Sequence, residues 1–469
     1  MGPFHSHLRL VYPPKTEEAL FAKTVDQSFP NTIAKRVSMI STAPRAHLLQ
    51  RTLLDARART LMLAGDLTGP QLLGPRLKIV NPPLWELGHL AWFQERWCLR
   101  VQEEGDALHP SILQNADGLY DSSTVVHETR WNLPLPSFEA TLGYLAAVLE
   151  RVLDRLTCES SRRLEYFVEL AALHEEMHCE AWTYTRQTLG YGAPRAETHA
   201  PPCVSVGSLM GEVEVTGGVF MLGASPGAGF VFDNEKWSHP VTVESFGIAR
   251  TCVTNGEFMA FVENDGYVRR ELWCPEGWAW RVLADASHPM YWDKHVNGWH
   301  MRRYDAWAPV EMNAAVMHVN WYEADAYCRW AGRRLPSEAE WECAASTGPG
   351  NTFSKRRYPW GDTEPDHAHA NVYGSAGGSV DVAAYAPGDS AWGCRQLIGN
   401  VWEWTADTFE PYPGFTADPY REYSEPWFGD HKVLRGGSFA TRAHLIRNTW
   451  RNFYTPERRD VFAGFRTCA

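Results

Sequence analysis

Several features are missing from this sequence, and each absence removes a class of function. Lysine and arginine never gather into a block. The densest runs are Arg333-Arg334 and Lys355-Arg356-Arg357, against a formal net charge of −12. No nucleic-acid partner is therefore expected. No apolar stretch approaches the roughly 20 residues of a membrane-crossing helix, so no membrane partner is expected either. Residues 1–31 have no apolar core followed by a cleavage site and do not read as a secretory signal. The ten cysteines are scattered singly from Cys98 to Cys468, with no Cys-x-x-Cys pair. That pattern excludes a zinc ribbon and a small disulfide framework, and it leaves reduced thiols in a cytoplasmic protein as the expectation. No internal repeat of fixed period is visible.

What remains is an ordinary soluble composition, 44% hydrophobic and 21% charged, with 21 tryptophans among 469 residues. Such a length exceeds the usual size of one hydrophobic core and predicts two domains. Residues 1–45 lack periodicity and read as a loose leader. Residues 46–204 carry apolar side chains at three- and four-residue spacing in "HLLQRTLLDARARTLMLAGDL", "LWELGHLAWFQERW", "FEATLGYLAAVLERVLDRL" and "LEYFVELAALHEEMHCEAWTYTRQTLGY". Four such segments predict a four-helix bundle, with Ser137 opening the third helix and Gly190 closing the fourth. Composition changes at "GAPRAETHAPPC", and the boundary is placed near residue 205. From 205 to 469 the chain shows short β-like runs ("GGVFMLGA", "HPVTVESFGIA") and two helices, near "WYEADAYCRWAG" and "SEAEWECAA". This half predicts a loop-rich α+β domain.

The chemistry starts at "HEEMH", which sets His174 and His178 four residues apart on one helical face. The same spacing is the HExxH pattern of zinc hydrolases, in which Glu175 would be the base. The extended form of that motif is absent, since Ala181 and Tyr184 stand where Gly and His are needed, and Glu197 lies in a Pro-rich stretch. A plainer alternative is that both histidines decorate a polar face of the bundle. A third histidine, His89, occupies an aromatic helix in which Trp85, His89, Trp92 and Arg96 share a face. Histidines projecting inward from different bundle helices can build a metal site. Three neutral imidazoles leave a divalent metal its full charge and about three open positions.

On several separate motifs the chain resembles the ergothioneine- and ovothiol-type sulfoxide synthases. "GHLAWFQERW" and "HEEMH" resemble the iron-binding elements of that family's DinB-like bundle, and "YDSSTVVHETRWNLPLP" resembles the segment between them. The second half is similar to formylglycine-generating-enzyme domains, a C-type-lectin-like fold. The runs that carry this are "GGVFMLGA", "NWYEADAYCRWAGRRLPSEAEWECAA", "YPWGD", "GNVWEWTAD", "VLRGGSF" and "FAGFR". The resemblance implies Fe(II) on His89, His174 and His178, with dioxygen and hercynine as substrates. It implies a catalytic role for Tyr420, a substrate-binding role for Asn452 and Phe453, and a carbon–chalcogen bond at the imidazole C2.

Three departures bear on the chalcogen donor. Tyr454 stands where a family member using γ-glutamylcysteine has an aspartate, Met177 replaces a glutamine, and only Arg130, with His127 beside it, is an obvious cation near "HETRW". Losing an acid and part of a basic clamp weakens recognition of a doubly carboxylated donor. A selenosugar is therefore favoured over a thiol donor, and within the family the selenoneine synthases are the nearest likeness. An ergothioneine-type synthase, a zinc hydrolase on HExxH and a non-catalytic lectin-like binding module remain the alternatives. Formylglycine-generating activity itself is not expected, because no cysteine pair for copper can be placed.

Overall fold

The periodic segments of the first half do form helices. They are α1 (Pro44–Ala64), α2 (Pro83–Glu95), the short α3 (Ala116–Tyr120), α4 (Phe138–Cys158) and α5 (Arg162–Leu189). The computed structural model describes residues 44–101, 108–159, 161–195, 209–350 and 355–469. All but the last two residues of the expected leader, and the boundary expected near residue 205, lie outside these. Ser137 caps α4 by accepting a hydrogen bond from the Ala140 amide, as its position predicts. Gly190 follows α5 at φ +64°, the left-handed conformation that ends helices cheaply only at glycine. Among the described residues no helix is long and apolar enough to cross a membrane.

Two compact units divide the chain. The first runs to Leu73 and takes in Pro83–Asp121 and Pro134–Glu175; the second comprises Gly74–Pro82, Ser122–Leu133 and Glu176–Ala469. Helix α5 is continuous through the boundary, so its last turns belong to the second unit. Within the first unit the core is aliphatic and aromatic, with Leu53, Leu87, Leu145, Val148 and Val168 buried. Arg57 of α1 crosses this core. Its guanidinium donates to both carboxylate oxygens of Glu175 at 2.7 and 3.1 Å, to Gln94 at 2.9 Å and to the Leu145 carbonyl at 2.6 Å.

Among the described residues the second unit contains four small sheets. Strand β1 (Glu212–Val215) pairs with β4 (Phe246–Ala249), and β2 (Gly218–Leu222) pairs with β3 (His239–Val243), both antiparallel. Strands β5 (Trp292–His295), β6 (Gly298–Arg303) and β7 (Ala306–Pro309) form an antiparallel meander. The central sheet has the order β10-β9-β8-β11, with β8 at Trp402–Thr408, β9 at Lys432–Arg435, β10 at Asn452–Tyr454 and β11 at Ala463–Gly464. Both helices expected here are present, α8 (Trp321–Trp330) and α9 (Glu338–Ser346), each opened by a capping box on Asn320 or Ser337. Two further helices, α6 (Asn255–Glu263) and α7 (Pro275–Leu283), add to the two expected from the sequence.

Buried ion pairs hold this unit together. Glu338 accepts from Arg435 at 2.8 Å and from Arg451 at 2.7 Å, and Glu342 pairs with Arg435 and Lys355. Glu403, next to Trp402 in β8, accepts from Arg466 at 2.6 and 2.7 Å and from Trp341 at 2.8 Å. Removing one member of such a pair leaves an uncompensated charge in a low dielectric, so these residues fix the frame more than they add net stability.

His318 is a buried titratable group in the same unit. It is 1% exposed, sits at φ +65°, and its Nδ1 has no hydrogen-bond partner among the described residues. Burial holds its pKa down at about 3. In the unfolded chain an ordinary histidine binds a proton near pH 6.5. The unfolded state therefore takes up the extra proton as the pH falls below that value, and stability drops. Between pH 7 and pH 5 this one group should cost roughly 2 kcal/mol. Urea unfolding at the two pH values should show a smaller drop in His318→Gln than in the unsubstituted chain; equal drops would contradict a neutral buried His318.

Candidate metal centre

Helix α2 presents one face to the short helix α3, with Trp85, His89 and Trp92 hydrogen-bonded across it. The Trp85 indole donates to the Leu119 carbonyl at 2.7 Å, and the Trp92 indole donates to Asp117 at 2.6 Å. Arg100, past the end of α2, donates twice to Asp117 at 2.8 Å. Those bonds hold the Asp117 carboxyl down at about 2. Between the two tryptophans, His89 Nδ1 lies 2.8 Å from the Tyr120 carbonyl. A carbonyl can only accept, so Nδ1 carries the proton and Nε2 the lone pair. This second-partner arrangement is typical of metal-binding histidines. Gly88 makes it possible: a Cβ there would lie 2.1 Å from the Tyr120 ring.

The other two histidines lie on α5. His174 stacks on Phe93 of α2 with ring centroids 3.6 Å apart and planes 5° from parallel, and its ring is 5.2 Å from that of His89. Trp85 stacks on His89 at 5.0 Å. His178 follows one turn after His174 on the same continuous helix. One donor nitrogen from each of His89, His174 and His178 lies within 4.8 Å of the other two. His89 and His174 are buried and His178 is half-buried. The donor set fits a divalent transition metal: three imidazoles, aromatic walls that fix two rings, and no carboxylate in the group.

Glu175, the base that a zinc hydrolase would need, faces elsewhere. Its oxygens are held by Arg57 at 2.7 and 3.1 Å and by Thr60 at 2.8 Å, all buried. A carboxylate so engaged is poorly placed to take a proton from water.

The remaining sequence-predicted residues lie in the second unit and, Met177 apart, fall into two groups. Asn452, Phe453 and Tyr454 form β10, paired with Leu434, Val433 and Lys432 of β9. Phe453 stacks on Phe409 at 4.1 Å and meets Tyr423 edge-on at 5.8 Å, and Tyr423 lies 6.2 Å from Tyr420. One aromatic run thus joins Tyr420 to Phe453. The loop bearing Tyr420 is pinned on both sides: Lys236 donates to Asp418 at 2.7 Å, and Ser424 donates to Asp233 at 2.5 Å. Tyr454 sits 5.0 Å from the Arg458 guanidinium, which is itself 6.0 Å from Tyr184 on α5. Burial raises the Tyr454 phenol to about 12.

The second group is Arg130 and His127. Arg130 donates to Asn81 at 2.6 Å and to the Val125 carbonyl at 3.1 Å; His127 Nε2 lies 2.8 Å from the Val80 carbonyl. Both tie residues 122–133 to residues 74–82. Met177 is half-buried between the two α5 histidines in sequence. The Tyr120 carbonyl and Gly88 were not singled out from the sequence. A backbone acceptor has no residue signature, and Gly88 shows its purpose only once the Tyr120 ring is seen against it.

Comparison with known proteins places both halves. A family profile described as Sulfatase-modifying factor enzyme 1-like domain matches residues 198–469, and one described as DinB superfamily matches residues 52–181. The chain is 38% identical over 432 residues to a hercynine oxygenase of Mycolicibacterium thermoresistibile, covering 90% of this chain and 95% of that one. It is 37% identical over 418 residues to a hercynine oxygenase of Mycobacterium tuberculosis, covering 88% and 96%. It is 33% identical over 310 residues to a formylglycine-generating enzyme of Streptomyces coelicolor, covering 59% of this chain and 94% of that one. The α+β architecture expected from the sequence, a DinB-like helical region followed by a domain of the formylglycine-generating-enzyme type, is therefore present.

Gly88→Ala should force the Tyr120 ring and its carbonyl away from His89. Overpacking of this kind costs about 1–3 kcal/mol. Chemical denaturation should register that loss, and calorimetric titration with Co(II) should show weaker binding. A variant as stable and as tight as the parent would mean that the Tyr120 contact does not set His89.

Proposed function

The chain belongs to the ergothioneine-type sulfoxide synthases, a family of oxidoreductases, and from that premise we propose that it holds one iron(II) on His89, His174 and His178 and uses dioxygen to join a chalcogen to the imidazole C2 of hercynine. The observation that carries this reading is the donor set: three imidazole nitrogens within 4.8 Å of one another and no carboxylate among them. Bound there, iron(II) supplies redox chemistry toward dioxygen and keeps positions open for two substrates. The protein's own groups bind, orient and move protons. The Tyr420 phenol, on a loop pinned by Asp233 and Lys236, is the proton donor of this proposal. Phe453 and Asn452 receive hercynine, the aromatic ring facing its quaternary ammonium.

We assign the chalcogen donor to a selenosugar, with a thiol donor as the second reading. The support is electrostatic. A doubly carboxylated peptide needs unengaged cations. Arg130 is taken up by Asn81 and backbone carbonyls, and Arg458 donates to both oxygens of Asp460 at 2.7 and 2.8 Å. Tyr454 covers Arg458 with a neutral ring. A polyhydroxylated neutral donor meets no such shortage. The HExxH hydrolase reading loses its base to Arg57.

Anaerobic loading with iron(II) and hercynine, followed by oxygen with a selenosugar or γ-glutamylcysteine, should yield mainly a selenium-containing imidazole by mass spectrometry. Preferential sulfur product would keep the iron site and discard the donor assignment. No product from either would reopen the hydrolase and binding-module readings.

Two substitutions test the roles. His174→Ala should lose iron and turnover together. Tyr420→Phe should retain iron yet change the rate or the product distribution; unaltered kinetics would remove Tyr420 from the chemistry.

A further inference from the structure

A helix of five residues cannot hold itself together in water, because a single turn fixes several dihedral angles for very few hydrogen bonds. The position of α3 is therefore set by what it touches. Tyr120 is its last residue. The last carbonyls of a helix have no partner within it and form the negative end of its dipole. Two of them face α2: Leu119 accepts from the Trp85 indole at 2.7 Å, and Tyr120 accepts from His89 Nδ1 at 2.8 Å.

The chain that leads into α3 is strapped back along α2. Helix α2 runs into a π-helical turn at Arg96–Arg100. Beyond it the His109 amide donates to the Arg100 carbonyl at 2.9 Å, and Arg100 Nε donates to the His109 carbonyl at 2.9 Å. Glu95, buried at the end of α2, accepts from the Ile112 amide at 2.5 Å, the Ser111 hydroxyl at 2.6 Å and the Tyr144 hydroxyl of α4 at 2.5 Å. These bonds fasten the strap ahead of α3.

Asp117 fastens α3 itself. It lies one turn before Tyr120, and its carboxylate accepts from the Trp92 indole at 2.6 Å and from both Nη atoms of Arg100 at 2.8 Å. Trp92 stands three residues after His89 on α2, and Trp85 four residues before it. The two indoles therefore grip α3 on either side of His89. The grips differ in kind. Trp85 holds a backbone carbonyl, which no substitution removes, whereas the Trp92 grip depends on the Asp117 side chain. That side chain is 49% exposed. A carboxylate so open to water adds little to stability through its ion pairs, so losing it leaves the fold largely intact.

We propose that Asp117 is a positioning residue for His89: by holding Trp92 and Arg100 together it seats α3 so that the Tyr120 carbonyl keeps the imidazole proton on Nδ1 and leaves the Nε2 lone pair for the metal. The inference rests on His89 being a ligand of the metal site proposed above. A neutral imidazole has two tautomers, and only one of them leaves Nε2 unprotonated. An acceptor held at Nδ1 selects that tautomer, fixes the ring and makes Nε2 a better donor. Asp117 acts through α3 and its end carbonyl, without touching metal or substrate.

The test reads the ring before it reads the metal. Full-length, metal-free protein is labelled with nitrogen-15 in its imidazoles, and the His89 signals are identified by their absence from His89→Gln. In the unsubstituted chain the proton should sit on Nδ1. In Asp117→Ala a substantial share should move to Nε2, and Fe(II) titrated anaerobically by calorimetry should bind about tenfold or more weakly at unchanged stoichiometry, the range found when groups that orient metal ligands are removed. Asp117→Asn keeps an acceptor for Trp92 and should fall between the two; it carries the test alone should Asp117→Ala fail to fold. Gly88→Ala displaces the same carbonyl, so combining it with Asp117→Ala should cost less than the sum of the separate losses. Additive losses, or an Asp117→Ala protein with unchanged His89 tautomer and Fe(II) affinity, would overturn the inference whatever its melting temperature. Full metal affinity in His89→Gln would sink the ligand assignment itself, whereas lost affinity there beside an unaffected Asp117→Ala would sink only the positioning role.

Discussion

Three carboxylates lie within six residues of one another on α5, at Glu175, Glu176 and Glu180, and all three are buried. Taking a carboxylate out of water costs several kcal/mol unless it is met by donors with good geometry. The fold meets each from a different place: Arg57 and Thr60 for Glu175, His444 for Glu176, and Trp402, Ser438 and Thr441 for Glu180. Those demands leave the helix little freedom to turn. The direction left over is the one in which His174 and His178 point. A metal site in a bundle is usually described by its ligands; for the site proposed here, the negative charges turned away from it do as much to define it.

The same arithmetic governs the first unit's other proposed ligand. His89 stands between Trp85 and Trp92, whose indoles are held by the Leu119 carbonyl and by Asp117, while its own Nδ1 meets the Tyr120 carbonyl. Three consecutive contacts along one helical face lock α3 onto α2. The locking partner is mostly backbone, which fixes the imidazole tautomer without adding a further charge beside it.

Much of this was readable from residues alone, and the boundary of what was readable is physical. Long helices announce themselves by repeated apolar spacing, so α1, α2, α4 and α5 were found together with the Ser137 cap and the Gly190 stop. The face shared by Trp85, His89 and Trp92 was likewise visible, because it is a matter of helical period. The helices α6 and α7 and the meander β5–β7 were not separated from loops, although α9, of the same nine-residue length as α6 and α7, was. The family could be named from its motifs, yet what the charged residues near "HETRW" actually hold could not. Arg130 looks the same in sequence whether it faces a ligand or straps one loop to another, and only the distance to Asn81 and Val125 distinguishes the two. The partners of Glu180 come from more than 200 residues further on, so nothing in the local sequence signals them.

The loop that bears Tyr420 hangs from the second unit by a few polar pins at Asp233, Asn234 and Lys236, while the unit's own integrity lies in the ion pairs beneath α9 and β9. Framework and loop are thus separately secured. A lineage carrying such a chain can lengthen, shorten or exchange that loop without endangering its ability to fold. An architecture of this kind is suited to being inherited by enzymes of different chemistry, because what must be kept and what can vary are held in place by different atoms.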